Sequence, residues 1–340
     1  MNACVRAGAP YVSRLRFWSL VALLGASAAG FAALPFHSLD GSAGRFERPR
    51  PGEARPAVEM YVEDGKRYAV YEDTEAAPWH RGLWVRPAGH PSGNSFAFQA
   101  CAGPATAADA CPTRRSAGAR NVADRIELVV DGYKTDRDAE EIKLGVGRYF
   151  AFDLMLGTDT EAPLNWTLLQ QVYQVQRERT SPPFAIFLRR DPDVPRRRDE
   201  DPRQVPLQLV MFVRDDADRA RGCSAFEGCG TMVGGEPIPV RRGEWTRMVL
   251  GLRPSALPAI GRVVLWKDHA CLAPTTPPDA SFRGAWGYAA GDSLNRTYDP
   301  AFDQFDVRVG IYRRQQPRQL SVYFDEIRLG KTLADVTAAC

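Results

Sequence analysis

Three short stretches of the chain place polar residues at alternating positions, where they could act together. They are Arg125 and Glu127 in "RIEL", Gln171 and Tyr173 in "QVY", and Arg308 and Tyr312 in "FDVRVGIYRR". Residues at alternate positions of a strand point to the same face of a sheet. If the three strands are neighbours, one face carries two arginines, an amide and two phenols. Such a face is a poor core and a suitable cleft for an acidic sugar chain.

The third stretch, residues 305–314, is the most informative of the three. Its Val and Ile residues alternate with Arg308, Gly310 and Tyr312. We interpret this face as one that supplies a cation to bind a carboxylate and a phenol to transfer a proton. Gly310 would leave space for a sugar ring between them. Arg314 adds a second candidate cation at the end of the strand.

The elements that must position these residues are strands. Short apolar or alternating runs bounded by turn residues predict twelve of them, at 67–72, 80–87, 95–100, 125–131, 148–156, 167–174, 183–190, 206–214, 244–253, 261–268, 305–313 and 321–330. This spacing favours an antiparallel sandwich or jelly roll. The sequence shows no alternation of strands with helices, which is the pattern that would indicate a parallel α/β fold.

The three stretches occur in the order of three motifs of the alginate-lyase and heparin-lyase-I type of polysaccharide lyase, which the chain resembles over roughly residues 80–330. The flanking sequences "RYFAFDLMLGTD", "EWTRMVLGLRPS", "GRVVLWKDHA" and "SVYFDEIRLG" resemble the same family. The resemblance implies an all-β, concanavalin-A-like β-jelly roll of two curved antiparallel sheets with a concave substrate groove.

The chemistry that the resemblance implies is β-elimination on a uronic-acid-containing polysaccharide. A proton next to the uronate carboxylate is removed, and the glycosidic oxygen at C4 leaves. Arg125 and Gln171 match the residues that neutralise the carboxylate. Tyr312 matches the tyrosine that abstracts the proton or protonates the leaving oxygen. Arg308 stands where the family has a substrate-binding lysine, and with Arg125 it is expected to lower the pKa of Tyr312.

The chain departs from the family pattern at two positions. Tyr173 stands where the second motif has a histidine, and Asp306 where an aromatic residue is common. Tyr173 could replace the histidine as a second acid or base, or the groove could bind without catalysis. A loop histidine, His80 or His90, could also supply the imidazole.

These considerations give two sets of candidate site residues. The predicted catalytic residues are Tyr312, Tyr173, Gln171 and Arg125, and the predicted substrate-binding residues are Arg308, Glu127, Arg314 and Lys267. The predicted function is polysaccharide lyase, and the alternative is a non-catalytic carbohydrate-binding protein of the same fold. A glycoside hydrolase ranks last, because it needs two carboxylates across the cleft. The lyase chemistry requires no metal or other cofactor, and the sequence leaves a structural Ca²⁺ open.

The N-terminal segment predicts export. Three arginines precede an uncharged run at 17–36, and the small-residue site "ASA" ends at Ala28. We predict a signal peptide over 1–28, and a periplasmic or extracellular protein. The alternative is an uncleaved inner-membrane anchor extending to residue 36. A disordered linker is expected over 37–57 and a single domain, a monomer, over 58–340.

Net charge and cysteine content limit which partners and which cellular compartment are expected for the protein. Loss of the signal peptide removes three arginines and no acidic residue, so the formal charge of +3 falls to about zero. This excludes a broad nucleic-acid-binding surface and leaves an anionic polysaccharide as the expected partner. Six of the seven cysteines follow the signal, and an exported protein can pair them. The pairs that we favour are Cys101–Cys111, Cys223–Cys229 and Cys271–Cys340.

Overall fold

The computed structural model describes residues 37–47, 57–72, 81–100, 123–131, 142–174, 182–213, 231–232, 237–255, 257–269, 271–284, 286, 304–314 and 316–337. Within these residues the strands form two sheets, one of eight and one of eleven strands. All the strand pairs are antiparallel. One helical turn, α1 (Leu333–Val336), follows the last strand.

The eight-stranded sheet has the order β17-β16-β15-β9-β19-β6-β5, and β1 also pairs with β19. Its strands are β1 (His37–Leu39), β5 (Arg81–Pro87), β6 (Asn94–Ala100), β9 (Arg148–Leu156), β15 (Trp245–Arg253), β16 (Arg262–Lys267), β17 (Ala280–Arg283) and β19 (Leu320–Gly330).

The eleven-stranded sheet has the order β13-β12-β11-β10-β18-β7-β4-β3-β2, with β14 paired to β12 and β8 paired to β18. Its strands are β2 (Arg45–Glu47), β3 (Ala57–Glu63), β4 (Lys66–Glu72), β7 (Ala123–Asp131), β8 (Ile142–Lys143), β10 (Thr167–Gln174), β11 (Phe184–Arg190), β12 (Leu207–Val213), β13 (Thr231–Met232), β14 (Ile238–Val240) and β18 (Gln304–Arg314).

The core lies between the two sheets and is built from the apolar half of each alternating strand. Phe98 and Phe324 of the eight-stranded sheet belong to the same buried cluster as Ile126 and Val309 of the eleven-stranded sheet. Burying such side chains is the main favourable term in folding. The predicted all-β jelly-roll sandwich is therefore confirmed.

All twelve predicted strands are present, and the structure adds seven more. Most of the additional strands have two to four residues, too few for an alternating pattern to be visible. The exception is β3, which forms a hairpin with β4 through Asp64 and Gly65. Both turn residues have positive φ angles, and an Asp-Gly pair is a strong sequence signal for such a hairpin.

The segment predicted as a linker contains two strands. β1 pairs with β19 in the eight-stranded sheet, and β2 pairs with β3 in the eleven-stranded sheet. Residues 37–47 therefore connect the two sheets, which differs from the disordered linker expected over 37–57.

Several predictions fall on residues that the structure does not describe. Residues 1–36, on which the signal peptide or anchor depends, are outside the described ranges. Cys271 is disulfide-bonded, whereas Cys340 and the other predicted pairs lie outside those ranges. No helix within the described ranges is long and apolar enough to span a membrane.

Candidate active site

The three stretches singled out in the sequence lie on adjacent strands, which is the condition under which their polar residues share one face. β18 runs between β10 and β7 in the eleven-stranded sheet. On one side Gln171 pairs with Arg308. On the other side Tyr312 pairs with Arg125, and Gly310 pairs with Glu127. Because paired residues share a face, the polar side chains meet on the sheet face opposite the core.

A β-bulge in β18 sets this register. Leu168 pairs with Tyr312, but Gln170 pairs with Val309, so two residues of β18 oppose one residue of β10. Gly310 lies in the bulge with φ of 136°.

The position that a side chain would take at Gly310 is filled by the backbone of β7 and by a core side chain. A Cβ atom there would lie 2.3 Å from the carbonyl oxygen of Ile126 and 2.8 Å from Cε1 of Phe98. The interpretation of Gly310 as space for a sugar ring is therefore wrong. Glycine is needed because of the positive φ and the close approach of β7.

Glu127 is the hub of the site. It is only 2% exposed. One carboxylate oxygen accepts a hydrogen bond from Arg125 Nε at 2.5 Å, and the other accepts one from Gln171 Nε2. Because both oxygens are occupied and buried, Glu127 orients its two neighbours, in place of the predicted contact with substrate.

Arg308 is paired with Asp306. Its Nε lies 2.9 Å from Asp306 Oδ1, its Nη2 donates to Asp306 Oδ2, and its Nη1 lies 3.8 Å from Glu127. The residue is 5% exposed. Burial alone would lower the pKa of Arg308, but the negative charges of Asp306 and Glu127 outweigh burial and raise it. Arg308 is thus a buried cation with its own counter-ion, which does not fit the predicted substrate-binding role.

Arg125 lies between two aromatic rings. Its guanidinium carbon is 4.0 Å from the ring centroid of Tyr71 and 4.5 Å from that of Tyr312. Tyr71 comes from β4 and pairs with Glu127, so it belongs to the same face. Tyr71 was not among the predicted site residues, although the alternation in "RYAVYE" could have indicated it.

The other phenols of the site lie close to this group. The Tyr173 ring is 4.6 Å from the guanidinium of Arg308. The Tyr312 ring packs edge-on against Trp166, with centroids 5.1 Å apart. Burial raises the pKa of Tyr312, and the nearby Arg125 opposes this only in part. The expectation that the arginines lower the pKa of Tyr312 is wrong, because desolvation of the phenolate is the larger effect.

An aromatic pair extends this face beyond Gln171. Phe187 pairs with Leu168, and Phe212 pairs with Ala185, which itself pairs with Gln171. The two phenyl rings are 5.4 Å apart and half-buried. This pair was not among the predicted site residues, because the apolar pattern of "FAIFLRR" is typical of a core strand.

Two of the remaining predicted residues, Lys267 and His90, lie away from this site. Lys267 is on β16 in the eight-stranded sheet and pairs with Asp268, so the structure does not bring it to the site. His90 lies 2.8 Å from Asp153 of that same sheet, so it does not supply the missing imidazole. His80 is outside the described ranges. Arg314 is exposed at the end of β18, two positions beyond Tyr312.

Within the described ranges, no group of three or more His, Cys, Asp or Glu side chains is arranged to hold a metal ion.

Comparison with known proteins gives a family match and several similar folds. The profile of a family described as polysaccharide lyase matches residues 114–328, more than half of the chain. The endo-β-1,4-glucuronan lyase of the fungus Trichoderma reesei is 15% identical, with a TM-score of 0.47, over 78% of this chain and 92% of that one. The alginate lyase of Klebsiella pneumoniae is 10% identical, with a TM-score of 0.40, over 72% and 83% of the two chains. No curated protein sequence matches the chain.

Proposed function

The chain belongs to the polysaccharide lyase family, and on this premise we propose that it cleaves a uronic-acid-containing polysaccharide by β-elimination. The observation that carries the proposal is the environment of Arg125, in a buried cluster of arginine, glutamate, glutamine and tyrosine side chains. Each proposed role below follows from one part of that environment.

Arg125 is assigned to the substrate carboxylate. Glu127 holds its Nε, and the rings of Tyr71 and Tyr312 lie against the guanidinium. The Nη edge is the remaining side, and a guanidinium edge of this kind suits a planar carboxylate. A cation at the carboxylate stabilises the charge that moves onto it as the neighbouring proton leaves.

Tyr312 is assigned as the proton donor to the leaving oxygen. In the elimination the C5 proton is taken by a base, its electron pair forms the C4–C5 double bond, and the C4–O bond breaks. The leaving oxygen then accepts a proton. Burial raises the pKa of Tyr312, so the phenol is protonated at neutral pH and suited to donate. Tyr173, the second phenol on this face, is assigned the abstraction of the C5 proton.

A direct test uses the ultraviolet absorbance of an unsaturated uronate product. The protein is incubated with glucuronan, alginate, heparin-like and pectic chains, and Arg125→Met serves as the comparison. We expect absorbance to rise with at least one glycan for the unchanged protein and not for Arg125→Met. A flat trace for the folded protein, together with measurable binding of a glycan, would favour the non-catalytic alternative. Replacement of the family histidine by Tyr173 is the observation behind that alternative.

A further inference from the structure

We infer that the polar face of the eleven-stranded sheet accepts one uronate at Arg125 with neutral sugars beside it, so that the substrate is a heteropolymer and not a homopolyuronate. This inference rests on the proposed function and adds the charge pattern of the glycan. Asp306 and the aromatic pair Phe187 and Phe212 are the specificity-determining residues.

The first support is the pairing of the second arginine. Arg308 uses two of its nitrogens on the two oxygens of Asp306, and the pair is buried. A buried arginine that already has a carboxylate on its fork cannot present that fork to a second one. A homopolyuronate would place a further carboxylate near this position, where the fork of Arg308 is already occupied.

The second support is the balance of charge. Arg125 and Arg308 contribute two positive charges, and Glu127 and Asp306 contribute two negative charges, so the four groups sum to zero. Arg125 has donors beyond its contact with Glu127, and these suffice for one substrate carboxylate. A second carboxylate would find no net positive charge in these four groups to offset the loss of its hydration.

The third support is the apolar surface next to Gln171. Phe187 and Phe212 lie on the same face as the site, with ring centroids 5.4 Å apart. Aromatic rings offer apolar contact and no charge, which fits the apolar face of a neutral sugar. Arg189 lies two positions after Phe187 on β11, so the aromatic pair separates it from Gln171.

The experiment compares substrates that differ only in charge pattern. Glucuronan and alginate are each used intact and after partial reduction of their carboxyl groups to alcohols, which leaves the linkages unchanged. Turnover is followed by the absorbance of the unsaturated product. We expect kcat/KM per remaining uronate to be about tenfold higher or more on a reduced chain, the scale of one charge-assisted contact.

Variants then test the assignment of Asp306 and its pairing with Arg308. Asp306→Asn frees the charge of Arg308 and should shift the preference toward the intact homopolyuronate, whereas Asp64→Asn in the exposed β3–β4 turn should not. The double variant Asp306→Leu with Arg308→Met removes the buried pair, a change that proteins often tolerate. The double variant should keep the substrate preference of the unchanged protein. It therefore distinguishes an effect of the freed Arg308 charge from a folding defect in Asp306→Asn.

The outcomes are distinguishable. Equal or better turnover of the intact homopolyuronates would overturn the inference and leave the lyase function in place. A double variant that loses the preference would also overturn it, because Arg308 would then contact substrate. Absence of product from these chains and also from the heparin-like and pectic chains would remove the proposed function, and the inference with it.

Discussion

Arg125 is oriented by contacts from three other residues. Glu127 fixes its Nε, and the rings of Tyr71 and Tyr312 lie at 4.0 and 4.5 Å from its guanidinium carbon. An arginine held in this way loses little further side-chain entropy when it binds a carboxylate. Its value to the site therefore depends on Tyr312 and on two further neighbours, Glu127 and Tyr71, that themselves need not touch the sugar.

Tyr312→Phe tests the proton donor. Removal of the hydroxyl should lower kcat by about 100-fold or more, the usual range for one acid–base group. Glycan affinity should change little, because the ring stays against Arg125. The measurement is product absorbance together with calorimetric binding. Tyr323→Phe is the matched control, since Tyr323 bonds to Arg86 in the other sheet. Unchanged kcat in Tyr312→Phe would remove Tyr312 from the mechanism.

Substitutions at Tyr71 separate the ring from its hydroxyl. Tyr71→Phe keeps the ring over Arg125 and should retain turnover within about threefold. Tyr71→Leu removes the cation–π contact and should raise KM by about tenfold, with a smaller change in kcat. Steady-state kinetics on the best glycan provide the measurement. A collapse of kcat in Tyr71→Phe would instead give the Tyr71 hydroxyl a chemical role.

Among the elements, the strand pair β10–β18 sets the geometry of the site. The bulge places Gln171 opposite Arg308, but it also leaves Gln170 opposite Val309 and Ile186, which are core residues. Gln170 is 1% exposed, and neither its amide nitrogen nor its amide oxygen has a hydrogen-bond partner. The register that builds the site thus costs stability at the next residue.

Gln170→Met should therefore stabilise the fold. Methionine has nearly the same shape and removes two unsatisfied polar atoms, so the free energy of unfolding should rise by about 1–2 kcal/mol. Urea unfolding monitored by circular dichroism would measure it. Gln204→Met, at an exposed loop position, is expected to have no comparable effect. A less stable Gln170→Met protein would mean that the amide is satisfied in solution.

For the whole molecule, the segment 37–47 links the two sheets through β1 and β2. Asp40 lies between these strands, and the carboxyl group of Glu63 at the end of β3 is close to it. Burial, and then the hydrogen bond with Asp40, raise the pKa of Glu63 to about 7. Glu63 is 4% exposed, and its Oε2 has no partner. The junction between the sheets is therefore most stable when Glu63 carries a proton.

This predicts a fall in stability as pH rises. The folded-state pKa of Glu63 is about 7, above the ordinary glutamate value of 4.5. Its stabilising contribution is therefore complete below the unfolded value and is lost as pH approaches neutrality. Unfolding free energy should decrease by on the order of 1–3 kcal/mol across that range. Glu63→Gln should flatten the dependence in urea unfolding at pH 5 and 7.5. The control is Glu59→Gln, exposed on β3. Parallel declines in the unchanged protein and Glu63→Gln would contradict the assignment.

Much of the fold and part of the site could be predicted from sequence. Alternation of apolar and polar residues specifies strands locally, and all twelve strands predicted from it are present. The pairs at Arg125 and Glu127, and at Gln171 and Tyr173, were identified for the same reason. Short strands such as β13 and β14 were missed, because two or three residues show no period and form only where a neighbouring strand supplies hydrogen bonds.

The sequence by itself determined the strands, the all-β class and the residue types on the polar face of the site, because each depends on neighbours within a few positions. Only the tertiary structure decided which groups pair across strands. In the tertiary structure Arg308 forms an ion pair with Asp306, and the Tyr71 ring packs against Arg125. Lys267 lies in the other sheet, and burial raises the pKa of Tyr312. Register and burial depend on contacts between residues far apart in the chain, and local pattern carries no information on them.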